Sequence, residues 1–136
     1  MENIVDTISK QVTHLLANDL PSTFMYHNLR HTRRVVAKTK ELAEGMELSP
    51  EHSQLVVLAA WLHDVGYLQH HLGHERESCK MAKTMLAEIK YPEAKIKEVC
   101  RLIMATERGK APKDLLEKII KDADAAHLAQ KDFRSI

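Results

Sequence analysis

An uninterrupted apolar run in the middle of the chain constrains the fold most strongly. Its eight residues extend from Leu55 to Leu62, and His63 and Asp64 follow at once. A helix that is apolar on every side is buried on every side. The run therefore predicts a central helix that the rest of the chain surrounds.

Residues that favour a helix start precede this run, and a residue that favours a helix end follows it. Ser49 is placed to cap the helix, Pro50 to occupy its first position, and Glu51 to complement the helix dipole in the first turn. Gly66 is expected to end the helix, since glycine adopts the left-handed conformation that closes many helices.

His63 and Asp64 are therefore predicted to lie in the last turn of the most buried helix. Unpaired carbonyl groups at that end carry a partial negative charge, which favours a cation and disfavours a carboxylate. A buried carboxylate there is costly unless something pairs with it, and a metal ion would remove the cost. The alternative is a capping histidine beside a partly solvated aspartate, so partners elsewhere in the chain decide.

Composition indicates one all-α domain. The chain has 136 residues, 44% of them apolar, with only four glycines and four prolines. Its net charge of +1 comes from interspersed acids and bases, so we expect no nucleic-acid partner. The first residues do not resemble a signal segment, and the longest apolar run is far below the roughly 20 residues that span a bilayer. We therefore expect a cytoplasmic protein that does not enter a membrane.

The two cysteines do not indicate a functional site, whereas the clustered histidines do. Cys79 and Cys100 fall within helical patterns without a CxxC spacing, so buried reduced thiols are expected rather than a disulfide or a zinc site. Seven of the nine histidines lie between His27 and His74. That clustering points to a site.

The apolar periodicity predicts five further helices around the central one. The second is expected to be capped by Asn28 and to end near Gly45. The others are predicted at 2–18, 75–89, 92–106 and 113–128.

Several candidate side chains lie at the starts of predicted helices. His31 falls on the inward side of the second helix, and His27 precedes it by four residues. His74 and Glu75 begin the fourth helix, where each is placed to reach a metal or substrate, or else only to complement the helix terminus. His70 and His71, just before them, are interpreted as solvated loop residues.

The last predicted helix carries two aspartates at the edge of its apolar stripe. Helical angles alone leave open whether Asp122 or Asp124 turns inward, and they mildly favour Asp122. Two imidazoles, from His31 and His63, and two carboxylates would suit a manganese, iron, magnesium or zinc ion with open coordination positions. Such a site activates water and polarises a phosphoryl oxygen, so phosphate-ester hydrolysis is the natural chemistry.

The same residues resemble a known family in order and spacing: the HD superfamily of metal-dependent phosphohydrolases. The segments that carry the resemblance are Tyr26–His31, Ala60–Tyr67, His74-Glu75 with Ser78, Ile103–Thr106 and Asp122–Asp124. The resemblance implies a compact helical bundle of about six helices. It would form a single HD domain over residues 1–136, with a scaffold helix and lead-in over 1–24 and the metal-site core over 25–128.

The resemblance also implies roles for individual residues. His31, His63, Asp64 and Asp124 would bind the metal, with Asp124 preferred over Asp122. His27 would protonate the leaving oxygen, as an imidazole can near neutral pH. The remaining candidates are Glu75 in catalysis, His74 or Asp122 as a ligand of a second metal or an alternate ligand, and Arg30 and Arg34 as phosphate contacts.

The leading hypothesis is a divalent-metal-dependent phosphohydrolase that acts on a nucleotide or other small phosphate ester through a metal-activated water. It would use one or two ions, and a homodimer is possible. The rival hypothesis is a non-catalytic HD-type module that binds metal and serves as a sensor or docking domain. A third, a di-iron oxygenase on the same scaffold, would need extra ligands such as His74 and would give a coloured protein.

Overall fold

The computed structural model describes the backbone of residues 3–19, 22–68 and 74–135, and the side chains of residues 3–17, 29–66 and 74–126. Within these ranges the chain is all-α, as its composition predicted, with six α-helices, one 3-10 helix and no β-strand. No helix in this part of the chain is long and apolar enough to cross a membrane. The elements are α1 (Ile4–Asp19), α2 (Ser22–Gly45), α3 (Pro50–Leu62), the 3-10 helix Val65–Leu68, α4 (His74–Glu88), α5 (Glu93–Ala105) and α6 (Leu115–Ser135).

The central helix is α3, as the apolar run predicted. Every residue from Leu55 to Ala60 is buried, and so is Leu62. Helices α1, α2, α5 and α6 all contact α3. Full burial of a leucine such as Leu58 contributes about 1.5–3 kcal/mol. The core therefore holds the carboxyl end of α3, where His63 follows, at a fixed place in the bundle.

The predicted start of α3 is confirmed and its predicted stop is wrong. The side-chain oxygen of Ser49 accepts a 3.1 Å hydrogen bond from the backbone N–H of His52, with Pro50 in the first turn. At the other end, the cap residue is His63 in an ordinary right-handed conformation. Gly66 lies within the 3-10 helix, and among the glycines that the structure describes the one with a positive φ is Gly109, at 87°.

The predicted cap of α2 at Asn28 is also wrong, because α2 already begins at Ser22. Neither glycine nor proline occurs from Ser22 to Glu44, and an asparagine inside a helix costs less than about 1 kcal/mol. His27 consequently lies within α2, four positions before His31, and its side chain falls outside the described residues.

A left-handed residue that is not glycine follows both α2 and α4. After α4, the N–H of Tyr91 bonds the carbonyl of Leu86 at 3.0 Å, and the N–H of Lys90 bonds Ala87 at 3.0 Å. This is the Schellman pattern, in which Lys90 takes a φ of 61°. Glu47 takes the corresponding position after α2, with a φ of 54°.

Polar contacts attach α6 to the end of α5. The Lys121 ammonium donates to the carbonyl oxygens of Ala105, at 2.9 Å, and Glu107, at 3.3 Å. Arg101 of α5 donates a 2.6 Å hydrogen bond to the buried carboxylate of Glu117. These contacts fix the first half of α6, which carries the two candidate aspartates.

Candidate metal centre

His63 and Asp64 form a buried pair immediately after α3. Their exposed fractions are 1% and 5%. The Nδ1 atom of His63 lies 2.7 Å from the carbonyl oxygen of Ala60. Because a carbonyl only accepts hydrogen bonds, Nδ1 carries the proton and the Nε2 atom is directed at the acidic side chains.

Ser78 of α4 fastens the turn that carries this pair. Its hydroxyl donates to the carbonyl oxygen of His63 and accepts from the N–H of Gly66, both at 2.8 Å. A Cβ atom on Gly66 would lie 2.1 Å from the carbonyl oxygen of His74 and 2.6 Å from the Ser78 nitrogen. Gly66 is therefore required for close packing of α4 rather than for the end of α3.

Ser78 stands among the segments that carry the family resemblance, but the contacts of its side chain were not predicted. The available signal was a serine on the buried side of α4, since a buried hydroxyl needs hydrogen-bond partners. The sequence did not identify those partners, because they are backbone atoms of a distant turn.

Side chains from α2 and α6 complete a cluster around the pair. The Nε2 atom of His31 lies 3.0 Å from Oδ1 of Asp124 and 3.3 Å from Oδ2 of Asp64. The Nε2 atom of His63 lies 3.2 Å from Oδ2 of Asp64 and 3.7 Å from Oδ1 of Asp124. One ligand atom each from His31, His63 and Asp124 falls within 4.8 Å of the others, a spacing that suits a shared metal ion.

Asp122 lies outside this cluster, so the mild preference that helical angles gave it is wrong. Its side chain is 54% exposed and pairs with Lys118 at 3.2 Å. Asp122 follows Lys118 by one turn on the exposed side of α6, whereas Asp124 follows buried Ile120 by one turn. Asp124 is the aspartate that the family resemblance implies.

His74 approaches Asp64 from the other side. Its Nε2 atom lies 2.9 Å from Oδ1 of Asp64 and 3.4 Å from Oε2 of Glu75. Asp64 therefore presents Oδ2 to His31 and His63 and presents Oδ1 to His74. The structure places His74 and Glu75 at this cluster, with side chains that are 14% and 13% exposed.

The other candidate residues remain predictions. Arg30 lies on the exposed side of α2, and Arg34, three residues after His31, is half-buried. The side chain of His27 and all of His70 and His71 fall outside the described residues.

Comparison with protein families identifies a family over most of the chain. The family model for the HD domain matches residues 28–129, which include His31, the His63-Asp64 pair and Asp124. This chain belongs to the HD domain family. Comparisons with curated proteins and with solved structures give no match. HD domains bind divalent metals and form a superfamily of metal-dependent hydrolases.

The charges in this HD domain are strongly coupled. Burial opposes the charged form of His63, but the carboxylates of Asp64 and Asp124 outweigh burial and raise its pKa well above the ordinary value. The pKa of His74 is also raised, because its hydrogen bond to Asp64 outweighs burial. The same contacts lower the pKa of Asp64 and Asp124 against the effect of burial. Positive charge is thus favoured between the two carboxylates.

The donor set of this HD domain fits a divalent metal ion. The buried Nε2 atom of His63 has no hydrogen-bond partner, although carboxylate oxygens lie close to it. In the neutral tautomer it presents a lone pair to two acids, an arrangement that is unfavourable unless a proton or a metal cation lies between them. Two carboxylates also supply the charge that one divalent ion would balance.

Proposed function

We propose that this HD domain hydrolyses small phosphate esters, nucleotides among them, and that His31, His63, Asp64 and Asp124 hold its metal ion. Family membership supports a metal-dependent hydrolase in general. The choice of phosphate esters and of these four ligands rests on the chemistry of the cluster.

One observation carries the proposal: the orphaned Nε2 atom of His63. Its ring is fixed through Nδ1 by Ala60, and its backbone is fixed through the Ser78 hydroxyl. A metal-ligating histidine is commonly oriented in this way by a carbonyl group behind it. A histidine with only a structural role would be expected to find a partner for both ring nitrogens.

The cluster is buried on one side and open on the other. His63 is sealed in the core, whereas the side chains of His31 and Asp124 are 16% and 18% exposed. A metal ion held here would lower the pKa of a water molecule and polarise a phosphoryl oxygen. The partly exposed edge gives a phosphate ester access to the cluster while the core holds the ligands in place.

Proton transfer to the leaving oxygen needs a group near neutral pKa. His27 is proposed for this role, since it lies on α2 four positions before His31. Arg30 and Arg34, on the same helix, are proposed to stabilise the phosphate charge.

Asp64 supports either of two roles for His74 and Glu75. Its Oδ1 atom, 2.9 Å from His74, is separate from the oxygen that faces His31 and His63. If the domain bound a second ion, His74 and Glu75 would hold it together with this oxygen of Asp64. With a single ion, His74 would orient Asp64 and Glu75 would be placed near the reacting water. The metal content of a His74→Ala variant separates these cases.

The direct test is elemental analysis of the purified protein and its His63→Ala variant. Release of the aryl alcohol from aryl phosphate monoesters and diesters is measured on the same samples with added manganese. His52→Ala is the matched control, because His52 is an exposed histidine at the opposite end of α3. We expect metal and turnover in the wild type and control, and loss of both in His63→Ala. Full activity in His63→Ala would contradict the mechanism.

The remaining outcomes choose among the hypotheses. Metal that is bound without turnover on either ester would favour the sensor or docking module. An absorbance band of the purified protein would favour the di-iron oxygenase. Preference for the monoester or the diester would define the reaction class.

A further inference from the structure

Two cysteines that the metal centre does not use face each other across α4 and α5. The Sγ atom of Cys79 lies 3.4 Å from the carbonyl oxygen of Cys100, and the Sγ atom of Cys100 lies 3.7 Å from that of Cys79. Reciprocal contacts of this kind require the two residues to stand opposite one another on the packed helices.

We propose that Cys79 and Cys100 form a reversible intramolecular disulfide bond between α4 and α5 when the protein meets a peroxide. The sequence had favoured two reduced thiols, and both are free in the structure. Their mutual placement was not readable from the sequence, because neither spacing nor periodicity aligns α4 with α5. A cysteine pair of this type in a reducing compartment serves redox sensing more often than permanent stabilisation.

The pair has an attacking and a resolving thiol. The neighbouring Cys79 thiol lowers the pKa of Cys100 to about 7 against the effect of burial, whereas the pKa of Cys79 is raised. Cys100 is therefore the better nucleophile at neutral pH. Exposed fractions of 9% for Cys79 and 8% for Cys100 favour a small oxidant such as hydrogen peroxide.

The oxidation proceeds in two balanced steps. The Cys100 thiolate attacks one oxygen of the peroxide, the O–O bond breaks, and hydroxide leaves to give a sulfenic acid. The Cys79 sulfur then attacks the Cys100 sulfur, the S–O bond breaks, and water leaves with the Cys79 proton. Two electrons pass from the thiol pair to the peroxide, and a thiol reductant reduces the disulfide back to two thiols.

The disulfide would act on the metal centre through α4. Cys79 directly follows Ser78, whose hydroxyl holds the carbonyl of His63 and the N–H of Gly66. Joining α4 covalently to α5 would hold this support in place when the domain is heated. We expect a rise in Tm of roughly 5–10 °C on oxidation.

The test treats the reduced full chain with hydrogen peroxide, both folded and in urea, and maps the products without reduction. Trypsin would release Cys79 in the peptide 77–80 and Cys100 in the peptide 98–101. We expect these peptides to be joined in the folded sample, with the mass of two hydrogen atoms lost, and separated again by dithiothreitol. Cross-linking should be at least tenfold faster in the folded protein than in urea.

Cys79→Ser is the matched control, since it leaves Cys100 without its resolving partner. We expect this variant to form a sulfenic acid that dimedone traps, and no linked peptide. The proposal would be overturned if the folded wild type gave no linked peptide, or if the linked peptide formed equally fast in urea. Both results come from the wild type and hold even if the variant fails to fold. Neither result depends on hydrolase activity, so this proposal and the proposed function fail separately.

Discussion

Asp124 of α6 places its Oδ1 atom 3.0 Å from the Nε2 atom of His31 on α2. Asp122, two positions earlier on the same helix, instead pairs with Lys118 at the surface. These neighbouring aspartates therefore provide a test variant and a matched control for the metal site. We expect Asp124→Asn to weaken metal binding by more than about 100-fold, because it removes one of two charged ligands from a partly buried cluster.

Asp122→Asn should leave metal affinity unchanged within about twofold, because its partner is an exposed lysine on the same helix. Isothermal titration of the metal-free proteins with manganese compares the two variants. If both variants lost the same amount of manganese affinity, the loss could not be assigned to a ligand at position 124, and the proposed site would be rejected.

The metal-free protein should depend on pH in a characteristic way. His63 and His74 have raised pKa values, so their contribution to stability is present below the ordinary histidine pKa of 6.5 and is lost as the pH rises through the raised values. Asp64 and Asp124 have lowered pKa values. Their contribution to stability is therefore present above the ordinary aspartate pKa of 3.8 and is lost as the pH falls through the lowered values. The stability of the metal-free protein should therefore be highest between about pH 3.8 and pH 6.5.

Thermal unfolding from pH 5 to 9, with chelator and with manganese, tests this pH dependence. The metal-free protein should lose Tm above pH 6.5, and the metal-loaded protein should lose less, because the ion replaces the protons between the carboxylates. Parallel curves with and without metal would contradict this explanation.

Gly66→Ala should destabilise the domain severely. The new Cβ would lie 2.1 Å from the carbonyl oxygen of His74, a backbone atom that has little room to move. We expect a loss of about 3 kcal/mol or more in the free energy of unfolding, measured by urea denaturation. Gly45→Ala, where a Cβ meets nothing within 4 Å, should change stability by less than about 1 kcal/mol. A Gly66→Ala variant as stable as Gly45→Ala would contradict the close packing of α4.

Lys90→Gly should stabilise the protein. Lys90 holds a left-handed φ of 61°, which costs a residue with a Cβ about 1–2 kcal/mol. Part of this gain is offset by the greater freedom of glycine in the unfolded chain, so we expect a net gain of about 0.5–1 kcal/mol by urea denaturation. Lys83→Gly, at an exposed position inside α4, should instead cost nearly 1 kcal/mol. A loss of stability in Lys90→Gly would argue against the left-handed end of α4.

Local signals in the sequence predicted the core of the fold. The apolar run and the Ser49-Pro50 pair located α3, because burial and capping are determined by neighbouring residues. Asn28 and Gly66 misled for the same reason. Each residue type is common at a helix end, but at these two places uninterrupted helix propensity and contact with α4 decided the conformation.

The candidate site was predictable as a set of residues and not as a geometry. His31, His63 and Asp64 stood out from the chain itself, whereas the choice of Asp124 came from family resemblance, since helical angles favoured Asp122. The two-sided use of Asp64, with His74 on one oxygen, required the packing of α4 against the 3-10 helix. No periodicity within either segment encodes that contact.

The members of the cluster lie in α2, after α3, in α4 and in α6, so the site exists only when these segments are assembled. An ion bound there is thermodynamically linked to folding of the whole domain. At a free concentration one hundred times the Kd, it would add about 2.7 kcal/mol to the unfolding free energy. Metal supply would then govern how long the protein survives proteolysis in the cell, even under conditions where no substrate is turned over.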